Sequence, residues 1–145
     1  MKSVRPVYIV GSARVPFAKS FTAYKDVARK DLLVASLNPL ITKHGLEGKL
    51  IGDVALGAVM NSASDWNLAR EAVLDTKLHP NTPAYNVQRA CGTSLETTWH
   101  LSMQIAMGQM DVAIAAGVDT NSDLPVEVSD GARKIILEAS QAKSA

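Results

Sequence analysis

One residue of this sequence has the type and the position of a candidate nucleophile. Cys91 is the single cysteine among 145 residues, and it stands between a strand-like run over residues 84–90 and a helical pattern that opens with Gly92. The unpaired N–H groups and the positive end of a helix favour a thiolate over a thiol. A lone cysteine is nevertheless more often a small buried apolar residue. Position alone leaves a reactive and a buried Cys91 as equal alternatives.

A nucleophilic cysteine generally needs a base within reach, and none of the three histidines is close to it in sequence. His100 lies nine residues further on, roughly 13 Å along the predicted helix, and is expected on the helix face with solvent or a polar neighbour as its partner. His44 is expected at a helix end and His79 in a surface loop, although folding could bring His79 closer. The activating group is therefore expected outside these residues.

The remaining charged candidates have plainer interpretations. Asp119 and Asp123 flank the end of the last predicted strand, where turn-forming acids on a solvated loop are far commoner than a catalytic carboxylate pair. Arg70 and Glu71 are interpreted as surface charges or as contacts to a neighbouring subunit. The sequence contains no glycine-rich dinucleotide or phosphate loop and no G-x-S-x-G motif.

Composition excludes several classes of protein. Hydrophobic residues make up 47% of the chain and charged residues 20%, with a net charge of +1, which is typical of a globular domain without a nucleic-acid or acidic-lipid surface. The longest apolar runs are too short to span a membrane, and no signal or transit segment is indicated. One cysteine excludes an internal disulfide, and the scattered histidines exclude the common zinc spacings. We expect a cytoplasmic protein without a metal.

Strand and helix patterns alternate along the chain. Apolar, β-branched runs predict four strands, over residues 4–11, 51–60, 84–90 and 111–118. Helical spacing predicts helices over residues 26–43, 66–77 and 92–107 and a last helix after residue 128. Alternation of this kind predicts an α/β domain, a mostly parallel sheet with helices on both faces.

Local signals refine the helices. Ser64 and Asp65 are the predicted N-caps of the second helix, Gly45 and Gly108 are predicted to close the first and third, and Pro39 is expected to kink the first or to cost it one hydrogen bond. The predicted buried stripes are Val27, Leu33, Leu37, Leu40 and Ile41; Leu68, Ala69, Ala72 and Val73; Leu95, Trp99, Met103 and Ala106; and Ala132, Ile135, Ile136 and Ala139.

The strand over residues 111–118 presents an anomaly. It is apolar on both faces, as a strand inside a parallel sheet should be, yet only a helix follows it and no further strand. A flat, uncharged edge of this kind favours pairing with another chain. Either a partner supplies a strand, or these residues are the front part of a longer protein.

Four blocks of residues together resemble the thiolase family, most closely the type that forms the β subunit of fatty-acid oxidation complexes. Residues 9–17 (IVGSARVPF) are similar to the strand and A-R-T-P-F signature that begins a thiolase. Residues 67–71 (NLARE) match its N-x-A-R motif. Residues 85–94 (YNVQRACGTS) match the block with the nucleophilic cysteine, and residues 113–125 match the strand and turn after it. The blocks occur in the family's order over essentially the whole chain.

The resemblance implies a fold and a reaction. Residues 1–145 would be a partial thiolase N-terminal domain, ending where the family's loop domain begins, with strand order 3-2-1-4-5 and the fifth strand missing. Cys91 would be acylated during thiolysis of a 3-ketoacyl-CoA, or during the reverse Claisen condensation, and its backbone N–H would donate to an oxyanion. Coenzyme A thioesters would be substrates, with no separate cofactor. The third strand would pair with a second subunit, and an α subunit of an oxidation complex is a further expected partner.

The chain departs from the family in two respects. Glu96 stands one turn from Cys91, where many relatives have alanine; an inward-pointing carboxylate would raise the thiol pKa, so we expect it to point outward. The resemblance also implies a second half carrying the activating histidine, an oxyanion-hole histidine and a second cysteine, all outside these residues. Two alternatives remain, a decarboxylating ketoacyl synthase and a non-catalytic fragment that acts in assembly or binding.

Overall fold

The computed structural model describes residues 4–142, and within them the chain forms a parallel sheet flanked by helices. The ends of the predicted domain, residues 1–3 and 143–145, lie outside the described residues. The elements in chain order are α1 (Arg29–Lys43), β1 (Asp53–Leu56), a 3₁₀ turn (Ala63–Asp65), α2 (Leu68–Asp75), β2 (Ala84–Asn86), α3 (Thr93–Ala106), β3 (Ala113–Ala115) and α4 (Asp130–Gln141). The strand order is β2-β1-β3, and both pairings are parallel. The predicted α/β class is confirmed.

The two faces of β1 explain the layers. Val54 and Leu56 are fully buried in one apolar cluster with the inner faces of α1 and α2, as the two-residue period of a strand requires. Ala55, between them, is also fully buried and faces α3 on the other side. The buried stripe predicted for α2 is confirmed, as are the α1 positions Leu33, Leu37 and Ile41. α1 continues through Pro39.

Helix ends agree with the sequence in part. Gly108 follows α3 with a φ of 76°, and Gly45 follows α1 with a φ of 60°, as left-handed helix closure predicts. The predicted N-caps of α2 are wrong. Ser64 and Asp65 form the 3₁₀ turn instead, and Asn67 caps α2 by accepting a hydrogen bond from the Arg70 N–H at 3.2 Å.

The predicted first strand is not part of the sheet. β1 pairs directly with β3, so the predicted order 3-2-1-4-5, with residues 4–11 between those two strands, is wrong. Extended backbone becomes a strand only when its N–H and C=O groups meet a neighbouring strand. The Arg5 N–H instead donates to Ala106 O at the end of α3, at 3.0 Å, and Ile9 is 82% exposed.

A wide cavity separates residues 7–20 from the open edge of β3. Its volume is about 1210 Å³, and its other walls come from the inner faces of α1 and α3, including Leu37 and Leu101. The open edge agrees with the sequence anomaly at residues 111–118, because β3 has a partner on one side only within the described part of the chain.

The apolar stripe predicted for α3 faces away from the sheet. Leu95, Trp99 and Met103 are 76%, 64% and 53% exposed, whereas Thr97 and Leu101 are buried. The prediction is wrong because α3 packs on the sheet through a different face, the one that carries Thr97 and Leu101. α4 shows the same pattern, since its amphipathic face has no buried residue.

Candidate active site

Cys91 lies in a tight turn between β2 and α3. The ladder continues one residue past β2, because the Val87 N–H donates to Leu56 O at 2.9 Å, and α3 begins at Thr93. The thiol in this turn is exposed and free, and it borders the large cavity. The structure therefore supports the exposed alternative for Cys91, at the carboxyl edge of the sheet where open α/β sheets bind ligands.

The turn contains a strained residue that hydrogen bonds hold in place. Ala90 has a φ of 43°, a left-handed conformation that costs a residue with a Cβ roughly 1–2 kcal/mol. The Thr93 hydroxyl accepts a hydrogen bond from the Arg89 N–H and donates one to Ala90 O, both at 2.9 Å. The Gly92 N–H donates to Arg89 O, also at 2.9 Å. This network presents Cys91 to the cavity at the start of α3.

Two glycines allow the turn to lie directly on the strands. A Cβ on Gly57 would stand 1.9 Å from Val87 O, and a Cβ on Gly117 would stand 3.0 Å from the Ser94 Cβ. Gly57 follows β1, and Gly117 follows β3. The two segments are linked by a hydrogen bond from the Val118 N–H, next to Gly117, to Gly57 O. The start of α3 therefore rests on bare backbone.

The start of α3 has no side-chain cap. Gly92 is the N-cap residue and offers no side-chain acceptor, so the N–H groups of Ser94 and Leu95 have no acceptor inside the helix. These dipoles add to a positive potential at the helix start, beside Cys91. The arrangement can stabilise an anionic oxygen of a ligand in the cavity next to the thiol.

Glu96 is the centre of a charged cluster one turn into α3. Its Oε1 lies 2.8 Å from Arg89 Nη1 and 3.1 Å from His100 Nε2. The Glu96 side chain is 21% exposed and lies between these two partners, and it is not among the residues that line the cavity bordered by Cys91. The polar neighbour predicted for His100 is confirmed and is Glu96 itself.

The other two histidines lie away from Cys91. His44 ends α1 as predicted; its imidazole lines the far part of the cavity, against Gly11. α1 begins beside residues that follow β1 and β3 and runs for 15 residues, roughly 22 Å, so His44 lies near the opposite edge of the sheet. His79 Nδ1 accepts the Asn81 N–H within a loop.

The acidic loop residues turn out to be anchors. Asp119 accepts a hydrogen bond from the Val59 N–H at 2.8 Å, and Asp123 accepts one from the Arg29 N–H at 3.0 Å. The predicted solvated loop is corrected in this respect, because both carboxylates hold backbone N–H groups of other segments. Arg70, predicted at the surface, donates to Thr82 O at 3.0 Å.

Arg29 is a residue that the sequence analysis missed. Its side chain is 3% exposed and lies 3.1 Å from the Asp65 carboxylate, and it also donates to Met60 O. With Asp123 it ties the loops after β1 and β3 to the start of α1, beneath the edge that bears Cys91. The signal available in the sequence was an arginine in the first turn of the helix predicted over residues 26–43, which is not specific.

Two ionisable groups lie at the other end of the sheet. Burial raises the pKa of Asp53 above its ordinary 3.8. Burial, and secondly the charge of Asp53, raise the pKa of Tyr85. Both side chains lie under α3, away from the cysteine. Among residues 4–142, no three His, Cys, Asp or Glu side chains come together to hold a metal ion, and no helix there is long and apolar enough to cross a membrane.

Comparisons with known proteins agree on one family. The family model described as "Thiolase, N-terminal domain" matches residues 7–144. The 3-ketoacyl-CoA thiolases of Yersinia pestis (strain Pestoides F) and Yersinia pseudotuberculosis serotype O:1b are each 37% identical to the chain over 138 residues, covering 95% of this chain and 32% of their own length.

A solved structure has the same fold. The Bacillus anthracis acetyl-CoA acetyltransferase superposes with a TM-score of 0.84 at 26% identity, over 90% of this chain and 33% of the other. The chain therefore spans about a third of the length of the relatives it matches.

Proposed function

The chain belongs to the thiolase family through that family's N-terminal domain, and we propose that it supplies the nucleophilic cysteine of a 3-ketoacyl-CoA thiolase. In the proposed reaction the Cys91 thiolate attacks the 3-keto carbon, and the bond between C2 and C3 breaks. Acetyl-CoA leaves as an enolate and takes up a proton, while the acyl group stays on the sulfur as a thioester. The thiol of a second coenzyme A then loses its proton, attacks the thioester and takes the acyl group, and the Cys91 thiolate is released; this proton balances the one taken up by the enolate. The reverse sequence is a Claisen condensation.

The observation that carries this proposal is the setting of Cys91. An exposed thiol stands beside an uncapped helix start, on a turn held in a strained conformation, at the edge of a large cavity. A buried structural cysteine needs none of these features. In the proposed reaction, the backbone donors at the helix start stabilise the oxyanion that forms when the thioester is attacked.

The proposal assigns the base to polypeptide outside these 145 residues. Within residues 4–142, His100 is held by Glu96, His79 lies in a loop with Asn81, and His44 is near the far edge of the sheet. We therefore propose that the chain alone does not complete the reaction, and that the remaining two-thirds of a thiolase supply the base and the proton donor.

A chimera tests the proposal. In the Yersinia pestis 3-ketoacyl-CoA thiolase, the matched third is replaced by this chain, and the folded chimera is given a 3-ketoacyl-CoA and coenzyme A. We expect release of acetyl-CoA and, without coenzyme A, an acyl group on Cys91 by mass spectrometry. The Cys91→Ser chimera is the control and should lose both. A folded chimera whose Cys91 stays unacylated would overturn the proposal. Turnover of malonyl thioesters instead would favour the ketoacyl synthase alternative.

The isolated chain provides a second test. We expect iodoacetamide to label Cys91 at the slow rate of an ordinary thiol, without protection by acetyl-CoA, whereas the chimera should be labelled rapidly and protected. Fast labelling that acetyl-CoA slows in a monomeric 145-residue chain would contradict the assignment of the base to the missing part.

A second candidate function is an assembly or binding module, and the open sheet favours it. β2 and β3 each have a partner on one side only among the described residues. Because β2 is an edge strand, it can pair across a two-fold axis with a second copy, as the proposed homo-oligomer requires. An α subunit of a fatty-acid oxidation complex is the further proposed partner. Self-association without any acylation of the chimera would favour this second candidate.

A further inference from the structure

Beyond the nucleophile, we propose that Glu96 is a positioning residue for Cys91. The inference rests on the proposed function of Cys91. The Glu96 carboxylate stabilises the turn that carries the thiol, and it binds the Arg89 guanidinium and the His100 imidazole so that neither side chain turns toward Cys91. The observation behind the proposal is a shared oxygen: Glu96 Oε1 lies 2.8 Å from Arg89 Nη1 and 3.1 Å from His100 Nε2.

The first part of the argument is geometric. Arg89 precedes Cys91 by two residues and Glu96 follows it by five, so their ion pair joins the two ends of the turn. The turn contains the left-handed Ala90, a conformation that persists only where the surroundings impose it. The Thr93 hydroxyl holds the turn by two hydrogen bonds, and the pair between Arg89 and Glu96 is a further link across it.

The second part concerns charge. Arg89 is 68% exposed and Glu96 only 21%, so the carboxylate is the fixed member and the guanidinium is drawn down to it. His100, one helical turn further on, adds a hydrogen bond when neutral and an ion pair when protonated. Without the carboxylate, the Arg89 guanidinium and the His100 imidazole would be free to turn toward the thiol or toward an anionic reagent. Glu96 therefore sets both the rigidity of the turn and the local positive charge.

The experiment uses the full chain and compares two reagents of different charge. Alkylation of Cys91 by neutral iodoacetamide and by anionic iodoacetate is measured, together with amide exchange at Gly92 and Thr93. In Glu96→Gln we expect exchange about two- to fivefold faster and an iodoacetate-to-iodoacetamide rate ratio about two- to fivefold higher, as for the loss of a partly exposed ion pair. Glu47→Gln is the matched control, because Glu47 pairs with Lys77 at 2.8 Å elsewhere, and it should change neither quantity.

A second variant separates positioning from general stability. Arg89→Gln removes the exposed partner; it should also speed exchange at Gly92, but it should lower the rate ratio, because a cation is lost. If Glu96 only stabilised the fold, both variants would change the alkylation rates with the two reagents by the same factor. An unchanged rate ratio in both variants would therefore overturn the proposal. Neither measurement uses an acyl-CoA, so failure of the chimera to acylate Cys91 would count against the proposed function and leave this result independent.

Discussion

Replacing Gly57 with alanine should destabilise the domain and displace the turn that bears Cys91. The new Cβ would stand 1.9 Å from Val87 O, about 1.5 Å short of ordinary contact, and 3.1 Å from Thr93 Cγ2. The carbonyl belongs to backbone and cannot swing aside as a side chain can. The hydrogen bond from the Val87 N–H to Leu56 O, 2.9 Å long, lies in the same segment and would be strained by any shift.

The magnitude follows from two contributions. Overpacking of a tight site costs about 1–3 kcal/mol, and loss of one backbone hydrogen bond costs about 1 kcal/mol. Gly57→Ala should therefore lower the free energy of unfolding by about 2–4 kcal/mol. That is a large share of the total for a domain, about 5–15 kcal/mol.

Two other glycines give a graded comparison. At Gly117 the new Cβ would stand 3.0 Å from the Ser94 Cβ, a side-chain atom, so Gly117→Ala should cost about 1 kcal/mol. At Gly131, in the first turn of α4, nothing lies within 4 Å, and alanine should stabilise the helix by about 0.5–1 kcal/mol. Gly131→Ala thus controls for the effect of adding a methyl group at a glycine where no neighbouring atom is in the way.

Urea denaturation followed by circular dichroism measures these differences, and iodoacetamide labelling reports the environment of Cys91. We expect the order of stability Gly131→Ala, then Gly117→Ala, then Gly57→Ala, with the labelling rate altered most in the last. A Gly57→Ala protein within about 0.5 kcal/mol of Gly131→Ala would refute the reasoning, because it would show that the turn does not rest on the backbone of β1.

Three further predictions concern stability. Arg29→Met should lower the free energy of unfolding by about 3–5 kcal/mol in urea denaturation, because it leaves Asp65 buried without its partner. The double variant Arg29→Met/Asp65→Asn should recover part of that loss. A single variant as stable as the wild type would contradict the role of the pair. Burial raises the folded-state pKa of Asp53 above its ordinary 3.8. The wild type should therefore lose stability as the pH rises from 3.8 through the folded-state pKa. Asp53→Asn should be the more stable protein near neutral pH, and this difference in stability should vanish in acid. A larger advantage in acid would reverse the assigned sign. Ile9→Asp should change the free energy of unfolding by less than about 0.5 kcal/mol, because Ile9 is 82% exposed. Ile114→Asp should unfold the domain, because Ile114 is 5% exposed. Equal losses of stability in the two variants would show that residues 4–11 belong to the sheet.

Much of the candidate site could be predicted from the sequence. The boundary between β2 and α3 at Cys91, the helix closures at Gly45 and Gly108, and the place of His44 at a helix end all follow from nearby residues. The partners of Glu96 could not be predicted with the same certainty. His100 lies at helical spacing from it, but Arg89 reaches it only because the turn folds back on the helix.

The α/β class of the fold was predictable, but the predictions for residues 4–11 and for the buried face of α3 were wrong. Residues 4–11 have the composition of a strand but no neighbouring strand to pair with, and β1 pairs with β3 instead. The stripe of Leu95, Trp99 and Met103 has the period of a buried face, yet α3 packs on the sheet through Thr97 and Leu101. In both cases the sequence pattern shows which structure a segment can form. Whether the segment joins the sheet, or which helix face is buried, depends on the elements that lie next to it in the fold.

By itself, the sequence determined where strands and helices alternate and that the single thiol stands at the start of a helix, because hydrogen bonding, capping and periodicity act over a few residues. Only the tertiary structure decided which strands are neighbours, which helix faces are buried, and which residues pair with Arg29 and Glu96. Those outcomes depend on contacts between residues far apart in the chain, where the energies of competing arrangements are set by the surfaces that meet and not by any local pattern.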